Sequence, residues 1–289
     1  MKNQFEYFLF IIFSKLFCFI GLKKSRKFVN FLVLIFYRIL KLRRRVTEEN
    51  LQKAFPNLSK KEIDELTLKS YQNFAICLIE ILSMPAVTSE SIKEIVKIAN
   101  IELLNKKYDE GKGVILLSAH FNNWEYAALA AGFYAKENIN VVVKHLRNPF
   151  VDKWMNDCRT KFNNKTIPLG VSIRHIFAAI KEKKIVGIIA DQRGPKEGIK
   201  INFFNNNTSV YSGPAVLALK TGAPLIMGLP VRQPDYSYLV ELAEINQENL
   251  PEDENEKIKE ICQRQFNNLE MMIKKNPASW FWMHNIWKY

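Results

Sequence analysis

A short aliphatic run, Val114–Leu117, ends in Ser118-Ala119-His120 and passes within a few residues into an alanine-rich stretch that keeps helical spacing to Gly132. That switch constrains the fold more than any other segment, because a buried strand feeding a helix at once belongs to an α/β architecture. Gly111-Lys112-Gly113 turns the chain into the strand, and Asn122 or Asn123 is placed to cap the helix. His120 therefore lies in the connection. On one continuous helix, at roughly 3.6 residues per turn, His120 and Glu125 would point about 140° apart. They meet only if His120 precedes the helix and Glu125 falls in its first turn. In that arrangement a carboxylate orients one imidazole nitrogen and leaves the other free as a base.

The alternation continues from Ile101. Strands are expected at Val114–Leu117, Asn140–Val143, Thr166–Pro168, Ile185–Ala190, Pro224–Leu229 and Tyr238–Leu242, with helices at Glu125–Ala135, Pro149–Asn163, Ser172–Glu182 and Gly213–Thr221. This pattern predicts an α/β fold with a mixed, largely parallel sheet flanked by helices. Reacting groups in such folds collect at the carboxyl ends of strands, where both His120 and Asp191 fall. Val46–Ser91 reads as helical, broken at Pro56-Asn57 and restarted by a capping box over Ser59–Glu62. Residues 46–100 thus form a helical layer supporting an α/β core over 101–289, the two together making one domain of residues 46–289.

Residues 1–45 differ. Phe5–Leu22 is strongly apolar but interrupted by Glu6 and Lys15; Lys23, Lys24, Arg26 and Lys27 follow, then a second apolar run, Phe28–Leu40, closed by Lys41 and Arg43–Arg45. A helix of roughly 20 apolar residues spans a bilayer, whereas a shorter or charge-broken one lies in the headgroup region. Both placements make this a helical membrane-associated segment, against the alternative of an ordinary buried helix with a solvated basic flank, and the flanking cations put everything after Gly21 on the cytoplasmic side. No small-residue cleavage site follows the apolar run, so it is not read as a removed signal peptide.

Lys and Arg number 42 against 29 Asp and Glu, a net charge of +13. A surplus of that size favours an anionic partner: nucleic acid, a membrane surface or a phosphorylated substrate. The aromatics cluster with aliphatics instead of interleaving with basic residues, which argues against nucleic acid. Cys18, Cys77, Cys158 and Cys262 share no CxxC spacing, and GxSxG, GxGxxG and Walker motifs are missing from the sequence. Zinc-ribbon, serine-hydrolase, dinucleotide and nucleoside-triphosphate readings lose support accordingly.

His120-Phe121-Asn122-Asn123-Trp124-Glu125 resembles the His-x4-Asp/Glu motif (HX4E) of acyltransferases, in particular the lipid A late acyltransferases of Gram-negative inner membranes. Further blocks follow in the family's order. Lys144-His145-Leu146-Arg147-Asn148-Pro149, with Arg159 beyond it, resembles a segment in which an Arg, Asn-Pro and a second Arg recur; here Lys144 stands at the first Arg position. Asp191-Gln192 followed by Phe203-Phe204, and Pro277-Ala278-Ser279-Trp280-Phe281-Trp282-Met283-His284, resemble two more. The family commonly continues past the last block with two arginines, where this chain has Asn285 and Ile286.

The resemblance implies a glycerolphosphate-acyltransferase-like fold and a lipid A biosynthesis acyltransferase at the inner membrane. Its donor would be an acyl-acyl carrier protein and its acceptor a hydroxyl of a lipid A precursor, with no metal or organic cofactor. His120 and Glu125 would be catalytic, and Lys144, Arg147, Arg159 and Asp191 would bind substrate. Asp191 read from its own surroundings fits either a loop- or hydroxyl-orienting carboxylate or an ordinary Asp-x-x-Gly-Pro turn. A rival scheme uses Ser118 as a nucleophile, and another gathers His120, Glu125 and Asp191 on a metal. Acylation of another glycolipid, such as a phosphatidylinositol mannoside, or of a glycerol phosphate, and a non-enzymatic basic membrane- or nucleic-acid-binding protein, are the alternatives.

Overall fold

The computed structural model describes residues 1–170 and 173–288. The N-terminal part is helical: α1 (Lys2–Ile20), α2 (Leu22–Ser25), a 3-10 turn at Arg26–Phe28, α3 (Val29–Val33), a wider π turn at Leu34–Ile39, α4 (Arg44–Ala54), α5 (Lys60–Leu82) and α6 (Ser89–Ile95). The expected capping box opens α5: Ser59 Oγ accepts from the Glu62 amide while the Glu62 carboxylate accepts from the Ser59 amide at 2.7 Å.

The core continues with β1 (Val96–Ile98), α7 (Ile101–Asp109), β2 (Val114–Ser118), α8 (Trp124–Tyr134), β3 (Ile139–Val143), α9 (Pro149–Arg159), β4 (Lys165–Pro168), α10 (Ile173–Lys181) and β5 (Ile185–Ile189). A hairpin of β6 (Ile199–Phe203) and β7 (Asn206–Val210) follows, then α11 (Gly213–Thr221), β8 (Leu225–Arg232), β9 (Tyr238–Ile245) and α12 (Glu254–Lys275). Seven strands form one sheet in the order β1-β9-β8-β2-β5-β3-β4, parallel at every pairing but β8–β9. The mixed, largely parallel sheet expected from the alternation is therefore present. Central strands read as continuous apolar runs because helices cover both faces. Gly113, at φ +71°, enters β2 where an added Cβ would lie 2.7 Å from Ile180 O, so the turn admits only glycine without shifting backbone.

Four elements were not expected from pattern alone: the three-residue β1, α7, the β6–β7 hairpin and the 22-residue α12. The expected helix at 149–163 stops at Arg159, because Phe162 and Asn163 turn into left-handed backbone. The expected helix from Ser172 is seen as Ile173–Lys181; its first residue lies outside the described residues. One face of the sheet carries a core that includes Phe203, Phe266 and the C-terminal Trp280 and Trp282. Both indoles are fully buried, and truncating a residue of that kind costs about 3–5 kcal/mol, which fixes the C-terminal tail to the core. The other face packs β1, α8 and α9, and takes in Phe10 of α1.

Helix α1 is long and apolar enough to cross a membrane, with a mean hydropathy of 1.3, and is a candidate membrane-associated segment. It does not project away from the domain. Its inner stripe (Tyr7, Phe10, Ile11, Ser14, Phe17, Cys18) recurs at i, i+3, i+4 and i+7 spacing and packs on α5 and α9. Phe10 meets Trp154 edge to face at 4.8 Å, and Ser14 Oγ donates to Leu82 O. The opposite stripe, including Phe5, Phe8, Ile12, Leu16 and Phe19, is exposed.

Candidate active site

Strands β2 and β5 are parallel neighbours with Ser118 opposite Ile189, so two residues further along each chain His120 and Asp191 arrive side by side. Their contact follows from that register. Asp191 Oδ1 accepts from His120 Nδ1 at 2.8 Å, and Asp191 Oδ2 accepts from the His120 amide and from Trp280 Nε1, both at 2.8 Å. Asp191 is 3% exposed and His120 22%, so the imidazole is reachable from outside and its carboxylate partner is not. With Nδ1–H committed to Asp191, the tautomer leaves Nε2 as the lone-pair nitrogen. The ring lines a small recess together with Asn73, Phe74, Trp124, Ser279 and Phe281.

Burial alone would push the Asp191 carboxyl up, but the imidazole, the indole N–H and the His120 amide together hold it below the usual carboxylate range. His120 shows the mirror case. Burial alone would push the imidazole down, yet Asp191 more than offsets it and Glu125 adds a smaller attraction, leaving the ring more basic than an ordinary histidine.

The carboxylate at His120 is thus Asp191 and not Glu125, which corrects the expectation of a His120–Glu125 pair. Asn123 caps α8 as expected, its Oδ1 accepting from the Tyr126 amide at 2.9 Å, and Glu125 does lie in the first turn. Glu125 instead turns to Arg159 at the end of α9: Oε2 accepts from Arg159 Nε at 2.8 Å and Oε1 from Nη2 at 2.5 Å. A planar guanidinium fork outcompetes a single imidazole N–H for both oxygens. The same pairing uses Nε–H and one Nη2–H of Arg159, leaving both Nη1 hydrogens and the second Nη2 hydrogen for any further contact. Asp191 also departs from its expected substrate-binding place, since both its oxygens are occupied and buried.

Lys144 and Arg147 sit exposed on the loop between β3 and α9. That loop is shaped by Asp152, which accepts from the Leu146 amide and meets His145 Nδ1 at 2.7 Å, and by Asn148, which caps α9. Ser118 Oγ donates to Gly228 O at 2.8 Å on the other side of β2, so it is not paired with His120 as a nucleophile would be. His120, Glu125 and Asp191 do not gather as metal ligands among the described residues. Where the family commonly has two arginines, Asn285 O accepts from Arg193 Nη1 at 2.7 Å, and His284 Nε2 accepts from the Arg193 amide at 3.0 Å. Burial pushes the His284 imidazole below the ordinary histidine value, which favours that acceptor role.

The chain between His120 and Glu125 is held on all sides. Phe281 N donates to His120 O, Asn122 N donates to Ser279 O, Asn122 Nδ2 reaches Pro230 O, and Asn123 Nδ2 reaches Glu80. The C-terminal tail and Glu80 were missed as site-forming residues. A signal for Glu80 was present in an acidic residue set within the apolar Tyr71–Leu82 run.

At the end of a central parallel strand a buried carboxylate thus holds a reachable imidazole, with no side-chain nucleophile bound to it among the described residues, an arrangement that suits proton transfer to or from a bound hydroxyl. The chain belongs to the bacterial lipid A biosynthesis acyltransferase family, which it matches over residues 1–289. It is 21% identical over 251 residues to the lipid A biosynthesis palmitoleoyltransferase of Escherichia coli (strain K12), covering 86% of this chain and 80% of that protein. It is 23% identical over 200 residues to the lauroyltransferase of the same organism, covering 68% and 64%. Phosphatidylinositol mannoside acyltransferase of Mycolicibacterium smegmatis is 25% identical over 169 residues, 56% of this chain, which spans about half (54%) of that relative's length.

Proposed function

We propose that this chain is an O-acyltransferase that moves a fatty acyl chain from an acyl carrier protein thioester to a hydroxyl of a lipid A precursor. The observation that carries the reading is His120, reachable, with Nδ1 held by buried Asp191 and Nε2 left as base. The acceptor hydroxyl gives its proton to Nε2 as its oxygen attacks the thioester carbonyl. Collapse of the tetrahedral intermediate forms the ester and expels the thiolate, which takes the proton back from the imidazolium. Asp191 and Glu125 favour the imidazolium as it forms. Arg159, held rigid by Glu125, presents Nη1, and Lys144 and Arg147 receive the acceptor's phosphates at the rim.

Phosphatidylinositol mannosides stay in view as acceptors because of the mycobacterial relative. Purified protein given acyl-acyl carrier protein together with a lipid A precursor, a phosphatidylinositol mannoside and glycerol phosphate should acylate the lipid A precursor fastest by mass spectrometry. Preference for either other acceptor would reassign the substrate.

The same reading places the protein at the cytoplasmic face of the bacterial inner membrane, with α1 lying in the plane of the interface. Its inner stripe is taken by α5 and α9, its outer stripe is apolar, and Lys15, Lys23, Lys24 and Lys27 are exposed beside it. Nitroxides placed singly at positions 5, 12 and 19, in vesicles containing anionic phospholipid, should report similar depths. An upright helix, rising about 1.5 Å per residue, would instead spread those positions over roughly 21 Å.

A further inference from the structure

Glu80, near the end of α5, is fully buried and carries a charge that the reaction scheme does not use. Its carboxylate takes four donor atoms: Arg26 Nε (3.1 Å) and Nη2 (2.7 Å) on Oε1, and Asn123 Nδ2 (2.9 Å) and Tyr238 Oη (2.5 Å) on Oε2. The Glu80 carbonyl accepts from Tyr126 Oη at 3.0 Å. Asn123 and Tyr126 bracket Trp124 and Glu125, so Glu80 holds the first turn of α8 from beneath, directly after His120. Arg26 comes from the basic stretch that follows α1. Its guanidinium lies 4.7 Å over the Tyr236 ring and also donates to Tyr236 O, so it is held at two further points.

We propose that Arg26 is a positioning residue for acyl transfer: through Glu80 and Asn123 it fixes the turn between His120 and Glu125, making the membrane-associated segment part of the active-site scaffold. The catalytic half of the proposal rests on the reading of His120 as the base; the scaffold half stands on the contacts alone. Losing one partner of a buried ion pair leaves the other charge uncompensated, and the strain falls on whatever that charge also holds. Here that is the cap of α8. Deleting residues 1–27 therefore removes an active-site support along with the anchor, and a truncated soluble form is a poor surrogate for the enzyme.

The test uses full-length protein in detergent micelles, where membrane attachment no longer limits access to the acceptor. Amide exchange over residues 123–126 should quicken about tenfold in Arg26→Ala while the far end of α8 and the sheet exchange as before, and Glu80→Gln added to Arg26→Ala should slow it again by removing the unpaired charge. Arg26→Lys keeps the charge without the fork, so it should show the same local effect in milder form and covers the case in which the alanine variant fails to fold. With acyl-acyl carrier protein and lipid A precursor, kcat should fall with exchange while KM for the acceptor stays within about twofold. Unchanged exchange at 123–126 in both Arg26 variants, or a rise spread evenly over the domain, overturns the scaffold. Local loosening with unchanged kcat, in an enzyme that His120→Ala inactivates, overturns its link to catalysis. Loosening in an enzyme that tolerates His120→Ala instead overturns the base assignment and leaves the scaffold standing.

Discussion

Replacing His120 by alanine is expected to lower turnover by about 10²–10⁴-fold, the range that a positioned general base contributes, while the protein stays folded. The neighbouring candidates are otherwise committed: Glu125 is engaged by Arg159, Asp191 is buried behind the imidazole, and Ser118 bonds to Gly228 on the other side of its strand. Alanine also leaves Asp191 Oδ1 buried without its Nδ1 partner, which carries a stability penalty of about 1–3 kcal/mol. His120→Asn separates the two effects. Its side-chain amide can still donate toward Asp191 but offers no basic nitrogen, so it should be nearly as inactive and more stable. Turnover within a few-fold of the natural protein in either variant would remove His120 from the chemistry.

Much of the fold was legible because α/β patterns are local. A buried strand is a short apolar run between turn residues, and six of the seven sheet strands could be read that way. The exception, β1, has three residues, too few for any period, and its pairing with β9 is nonlocal. The β6–β7 hairpin hid behind Asn205-Asn206-Asn207, which reads as loop; Phe204 and Asn205 supply the left-handed turn.

The site divides along the same line. His120 at a strand end, Asn123 as cap and Glu125 in the first turn follow from one continuous stretch. Their partners do not. Glu125 faces Arg159 only because α8 and α9 pack side by side, and His120 meets Asp191 only because β2 and β5 are neighbours in register. Spacing along the chain put a carboxylate near the histidine, and the sheet supplied a different one. The cue available in the sequence was that two apolar strands are each followed by a titratable residue at the same offset, His120 and Asp191.

Asp191→Asn is the second change expected to act strongly, and it acts through the imidazole. The amide removes the charge that favours imidazolium and can present its NH2 to Nδ1, stabilising the wrong tautomer. Turnover should fall by on the order of 10²-fold or more. Its pH dependence carries more information than its rate. A base works deprotonated, so kcat/KM should fall tenfold per pH unit once the pH drops below the His120 pKa. In the natural protein Asp191 raises that pKa above the ordinary histidine value of about 6.5, so activity should begin to fail at a higher pH than an ordinary histidine would set. Without the Asp191 charge burial dominates, the pKa drops, and the acid limb should move to lower pH. The most direct measurement is therefore the kcat/KM–pH profile of natural and Asp191→Asn proteins side by side, on acyl-acyl carrier protein and a lipid A precursor. A single acid limb set above 6.5 and displaced downward in the variant is the predicted result; a limb that stays where it was, or a flat profile in the natural protein, would contradict an Asp191-oriented His120 as the base.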